Sequence, residues 1–314
     1  MKRLFIILFN ILLFIGIYFV IDYSIFRLEL HNLEKTGIDK YFSVKPKYSY
    51  KISNPEIKYD YLNNGDYSIL RKPVGTEYNS EPITIFGCSV GYGQYLNDNE
   101  NFGYYLSQET HRPVYNRSIA GAGLQNMYYQ VSSNEFYSDV PYSSDVIYVY
   151  INDHLRRMLG LPFSILDREF YLHYSIRNNT LVKDNYNNPV LNFFRSSYLI
   201  NWCKYVYFDK IQRHQHSFLQ NQALMYFIKS REELEKRWGK TFNFYVFFFI
   251  KANSDRYLID KLKQNGFKVI LIQDLTSENL NSAPYLASDN SHPSEEVWKL
   301  LTPIISDIIS KEDY

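Results

Sequence analysis

Cysteine is scarce in this chain, and neither sign of charge dominates. Only Cys88 and Cys203 occur in 314 residues, too few for a disulfide framework. Cys88 reads instead as a small buried thiol. The net charge of +1 gives no field strong enough to recruit nucleic acid or an anionic surface. Internal repeats and low-complexity tracts are missing as well, which excludes solenoids and fibrous arrays. His214-Gln215-His216 is a histidine pair without a neighbouring carboxylate or cysteine set, so a solvated helix face is expected there, and no metal or cofactor is expected anywhere.

A hydrophobic share of 46% is enough to bury a sizeable core, and the length suits one globular domain with accessories. Tyrosine is unusually frequent, with 31 copies. Either biased base composition of the gene or aromatic walls that stack on sugar rings would explain it. One long apolar run stands out, Leu4 to Ile21, preceded by Lys2 and Arg3 and followed by Asp22. It lies at the short end of what spans a bilayer. Its flanking charges place the N-terminus in the cytoplasm and everything beyond Tyr23 outside. It is long for the core of a cleaved signal, and no small-x-small site follows. The expectation is a single-pass anchor through residues 4–21, retained in the mature protein.

Residues 22–80 lack helical period and read as a juxtamembrane connector, with Asn63-Asn64-Gly65-Asp66 as a hairpin signal. From residue 81 to 314 strands and helices alternate. Ile83–Phe86, Val114–Asn116, Asp145–Ile151, Phe242–Ile250 and Val269–Ile272 are the expected strands. Helices follow at Phe102, around Met127, after a Ser254 cap, and at Val297–Ile308 with a kink at Pro303. Such alternation predicts an α/β fold, a flavodoxin-like doubly wound parallel sheet. The stretch 155–241 interrupts it and is expected to form a helical cap.

Four segments carry chemistry. Gly87-Cys88-Ser89 ends the first strand, and Asn116 through Gly121 follows the second. Ile151-Asn152-Asp153 ends the third, and Asp289-Asn290-Ser291-His292-Pro293 opens the last helix. A serine hydroxyl is a poor nucleophile until an imidazole takes its proton, so Ser89 needs His292. Asp289, three residues earlier, has the reach to hold the far ring nitrogen. Pro293 keeps His292 out of the helical region and suits a first helical turn.

These segments resemble blocks I, II, III and V of the SGNH (GDSL-type) hydrolase family over roughly residues 82–310, and the overall look is similar to envelope-polysaccharide members. The resemblance implies Ser89, His292 and Asp289 as the catalytic triad. It also implies an oxyanion hole built from the Ser89 N–H, the Gly121 N–H and the Asn152 amide. Two departures are plain: Cys88 stands where the family's middle acid belongs, and Tyr150 where a glycine does. Gly87-Cys88-Ser89-Val90-Gly91 also fits the elbow of α/β-hydrolases. Against that fold, Ser89 follows the first strand and the acid sits only three residues before the histidine. A Cys88 nucleophile fits less well still, since the site is built for Ser89.

Arg156 and Arg157 are candidates to hold an anionic group such as a uronate, or are surface charges. Asp153 and His154 are a candidate second acid–base pair. The expected activity is ester hydrolysis on O-acyl groups of extracytoplasmic glycans, the substrate being an acylated glycan or small ester. O-acyl transfer through the same acyl–Ser89 intermediate, and a catalytically silent envelope protein of this fold, stay open.

Overall fold

The five apolar runs pair into one sheet. In the computed structural model the described residues are 10, 13–25, 27, 61–63, 69–158, 174–177, 180–183, 199–200, 203, 216–249, 255–288 and 291–311. Strands β1 (Ile83–Gly87), β2 (Val114–Asn116), β3 (Asp145–Tyr150), β4 (Asn243–Phe248) and β5 (Lys268–Leu271) run parallel in the order β2-β1-β3-β4-β5. This is the flavodoxin-like order. Register places Ile83 opposite both Val114 and Asp145, and Gly87 opposite Val149. β1 and β3 are buried along their whole length, with helices on both faces, which explains why they read as continuous apolar runs, while the edge strand β5 is half-buried.

The period-2 alternation of each strand decides which side chains meet which helices. Ile83, Ile85, Ile147, Val149, Tyr245 and Phe247 share one core with α2 (Phe102–Thr110) and α8 (Glu295–Lys311). There Phe102 stacks on Trp298 with ring centroids 4.8 Å apart. The other face is rich in aromatic rings. Phe86 stacks on Phe136 of α4 (Asn134–Asp139) at 5.7 Å, and Tyr148 meets Phe227 of α6 (His216–Trp238) edge-on at 5.1 Å. Helix α6 buries Leu219, Ala223, Tyr226, Phe227, Ser230 and Leu234, three or four residues apart as a single apolar stripe requires. It packs against α3 (Leu124–Ser132) and α7 (Arg256–Gln264).

Two findings change the reading of the stretch 155–241. Helix α6 lies inside the stretch expected as a cap, and instead covers the sheet. The same stretch also supplies a two-stranded hairpin, Tyr174–Arg177 with Thr180–Lys183. Helix α8 continues past Pro303, which is exposed and cannot donate to the carbonyl four residues earlier. Ser254 lies outside the described residues; Asp255 holds the N-cap of α7, and its carboxylate accepts from Gln220 at 3.1 Å.

The boundary expected at residue 80 also moves. The compact unit that holds the sheet comprises residues 54–159, 172–183 and 216–314, because Arg71 is part of its interior. Tyr61–Asn63 pairs with Ile69–Arg71, and Arg71 then reaches inward. Its Nε donates to the Tyr92 carbonyl at 2.7 Å, and its Nη2 to the carbonyls of Gly93 and Leu96, both at 2.8 Å. Nη1 pairs with Asp98.

The second unit comprises residues 1–53, 160–171 and 184–215. Among its described residues 13–25 are helical, and the Leu199 N–H donates to Asp22 Oδ1 at 2.8 Å. Phe14, Phe19, Val20 and Ile21 are exposed. Among the described residues no helix is long and apolar enough to cross a membrane. Residues 4–9, 11 and 12 of the expected span lie outside them.

Arg71→Ala removes the charged donor shared by the Tyr92, Gly93 and Leu96 carbonyls, together with the Asp98 ion pair. It should cost about 2–4 kcal/mol, measured as a drop in the denaturant midpoint of the sheet-bearing unit.

Candidate active site

Close packing of β1 against β3 sets the position of Ser89. A Cβ on Gly87 would stand 3.1 Å from the Val149 carbonyl, and one on Gly91 only 2.7 Å from Ser118 Oγ. A larger residue at either place would force Val149 or the Ser118 hydroxyl to shift, so the turn into α1 (Ser89–Tyr92) lies hard against the neighbouring strand. Ser89 thereby stands at the carboxyl end of β1, where the strand order reverses, the usual place for a site on such a sheet. Its side chain is 6% exposed. Cys88 is a free thiol buried in the core, its Sγ 4.0 Å from Ser89 Oγ.

His292 arrives from a loop stapled across its own base. The Ala287 N–H donates to the His292 carbonyl at 2.8 Å, and the Ser294 N–H to the Tyr285 carbonyl at 3.0 Å. Pro293 bridges Leu286 just before α8 starts. This places His292 Nε2 2.8 Å from Ser89 Oγ, a hydrogen bond between residues 203 positions apart. Nδ1, on the far side of the ring, lies 3.1 Å from Ser291 Oγ. Asp289 lies outside the described residues.

The second segment is fastened to the first. Asn116 Nδ2 donates to the Gly91 carbonyl at 2.8 Å, its Oδ1 accepts from the Ser118 N–H at 3.1 Å, and the Ile119 N–H donates to the Gly87 carbonyl at 3.1 Å. Gly121 then takes φ +77°, a left-handed conformation that glycine adopts without strain. Among the described residues neither the Ser89 nor the Gly121 N–H donates in the turns and loops that hold this region. Asn152 sits between β3 and α5 (Asp153–Met158), its carbonyl accepting from the Leu155 N–H at 3.1 Å.

The residues after Asn152 take different parts from those expected. Arg157 is buried: its Nε donates to Asp153 at 2.7 Å and its Nη1 to the Ala122 carbonyl at 2.8 Å. It braces the Gly121 loop against α5, and its guanidinium is committed there rather than to an anionic substrate. The side chain of Arg156 lies outside the described residues. His154 is fully buried, with Nδ1 3.1 Å from Tyr148 Oη. Burial, with the nearby Arg157 charge adding to it, holds its pKa well below the usual histidine range. With Asp153 paired to Arg157 and His154 neutral in the core, the two do not form a second acid–base pair. Of the histidine pair, His214 lies outside the described residues; among the described ones no cluster of His, Cys, Asp and Glu is placed to hold a metal.

One neighbour of the site went unmarked in the sequence. The Tyr95 ring meets the His292 ring edge-on, centroids 5.2 Å apart, and Tyr95 takes φ 71°. No motif or spacing distinguishes it.

No protein-family model and no curated relative matches the chain. Solved structures similar to it include a member of the lipolytic protein G-D-S-L family from Veillonella parvula, at 10% identity and a TM-score of 0.43 over 74% of this chain and 99% of that one. A lipase from a goat rumen metagenome is similar at 12% identity and a TM-score of 0.45, over 73% and 97%. An acetyl xylan esterase from the rumen bacterium Butyrivibrio proteoclasticus is similar at 10% identity and a TM-score of 0.44, over 79% and 66%. The functional reading rests on the residues themselves.

His154 gives a pH signature. Its folded pKa lies below its unfolded one, so the unfolded chain binds the extra proton and stability falls with acid. The loss should begin near pH 6.5 and reach about 1.4 kcal/mol per pH unit below it. Urea midpoints at pH 7.5 and 5.5 read this directly, and His154→Gln, which cannot charge, should narrow the gap between them.

Proposed function

We propose that this chain is a serine esterase of the SGNH type, and the observation that carries the reading is the 2.8 Å approach of His292 Nε2 to Ser89 Oγ. In the reaction, the Ser89 hydroxyl gives its proton to Nε2 as the oxygen attacks an ester carbonyl. The oxyanion that develops is met by the Ser89 N–H, the Gly121 N–H and the Asn152 side-chain amide. Collapse expels the alcohol, which takes the proton from His292 and leaves an acyl–Ser89. Water, activated by the same imidazole, then releases the acid. The family pattern gives Asp289 the part of keeping Nδ1 protonated; Ser291 Oγ lies 3.1 Å from that nitrogen.

The substrate reading is an O-acylated glycan outside the cytoplasm, with residues 4–21 as the anchor. The apolar side chains that the 13–25 helix leaves exposed support attachment to a lipid phase. Transfer of the acyl group to a sugar hydroxyl would use the same intermediate and differ only in what attacks it. Following acetate and acylated sugar separately with an activated acetyl ester and an oligosaccharide acceptor separates the two.

A fluorophosphonate should phosphonylate Ser89. Ser89→Ala should abolish the adduct and lower ester turnover roughly 10⁴- to 10⁶-fold. An adduct mapped by mass spectrometry to any other residue overturns the assignment. Asn152→Ala should lower turnover roughly 10²- to 10³-fold with little change in KM. In cells, the full chain should remain with membranes after a carbonate wash and carry a C-terminal reporter on the outer side; a soluble chain lacking residues 1–21 would rule out the anchor.

A further inference from the structure

Ser89 and His292 are 203 positions apart in the sequence, and something must keep an imidazole on a loop aimed at a hydroxyl on a turn. Tyr95 is placed to do so. It follows α1, where Gly93 ends the helix in the left-handed region with φ +74°. The Gln94 N–H donates to the Ser89 carbonyl at 2.9 Å and the Leu96 N–H to the Gly93 carbonyl at 3.1 Å. Tyr95 itself then takes φ 71°. A bulky residue is a true outlier there, where glycine or asparagine is at ease. Such strain persists only where the surroundings over-determine it, and it concentrates at working sites.

Two features over-determine this one. Arg71 grips the loop on both sides of Tyr95, through the carbonyls of Gly93 and Leu96. On the other side the Tyr95 ring packs edge-on against His292. The left-handed turn aims the ring at the imidazole.

We propose that Tyr95 is a positioning residue, which holds the His292 ring in line with Ser89 Oγ. This rests on the serine esterase reading. Asparagine and glycine both keep the left-handed backbone while removing the ring, and phenylalanine keeps the ring while removing the hydroxyl. The probe is a fluorophosphonate, because its reaction with Ser89 needs an aligned base and no knowledge of the natural substrate. The rate of labelling at saturation is read separately from the concentration that half-saturates it.

Tyr95→Asn and Tyr95→Gly should slow saturated labelling by about 10- to 100-fold, with the half-saturating concentration within about twofold, as expected when alignment rather than binding is lost. Tyr95→Phe should react at the wild-type rate, since the contact is made by the ring. Circular dichroism melts taken alongside separate alignment from folding. Wild-type rates in folded Tyr95→Asn and Tyr95→Gly overturn the proposal. So does loss of folding in both, which would make the ring a structural element. Failure of the wild-type chain to label at Ser89 instead overturns the esterase reading on which the proposal stands.

Discussion

The hydrogen bond between Ser89 and His292 joins residues 203 positions apart, and no local interaction can create it. It requires α8 to be seated on the same face of the sheet as the start of α2, and the Phe102–Trp298 stack lies at that seam. It also requires the turn after β1 to lie flush against β3, which Gly87 and Gly91 allow without displacing Val149 or Ser118. The site is therefore a readout of global packing. Loosening either contact would separate nucleophile from base before the sheet itself came apart.

Most of the architecture was legible because its signals are strong and local. Five apolar runs with turn residues between them dictate a buried parallel sheet, and helices with apolar residues three and four apart dictate its covers. The order of the strands placed Ser89, Gly121 and Asn152 near one another at the carboxyl ends. What escaped was whatever depended on long-range partners. Arg71 looked like part of a connector because a charged residue in an irregular stretch gives no hint that its donors will meet three backbone carbonyls. Helix α6 looked like part of a cap because an insertion and a core helix share the same amphipathic pattern.

The charged and titratable residues were the hardest to read. Arg157 and His154 sit beside Asn152 in sequence, and adjacency to a site invites a functional role. Geometry divides them otherwise. Helix α5 turns both side chains inward, where the arginine binds a carboxylate and a carbonyl and the histidine meets a tyrosine hydroxyl. Tyr95 is the converse case. A tyrosine among 31 carries no distinguishing mark until its backbone angle and its neighbour are seen.

The clamp made by Arg71 holds the loop from Tyr92 to Leu96 through three main-chain oxygens and one side chain, the Tyr92 ring 4.8 Å from its guanidinium. Every amino acid presents that same oxygen. Apart from Tyr92 and the left-handed Gly93, side chains along this rim can therefore be exchanged in evolution without dismantling the scaffold that orients them. A fold of this kind separates the part that must stay constant from the part that can be retuned, and the arginine is where the two are divided.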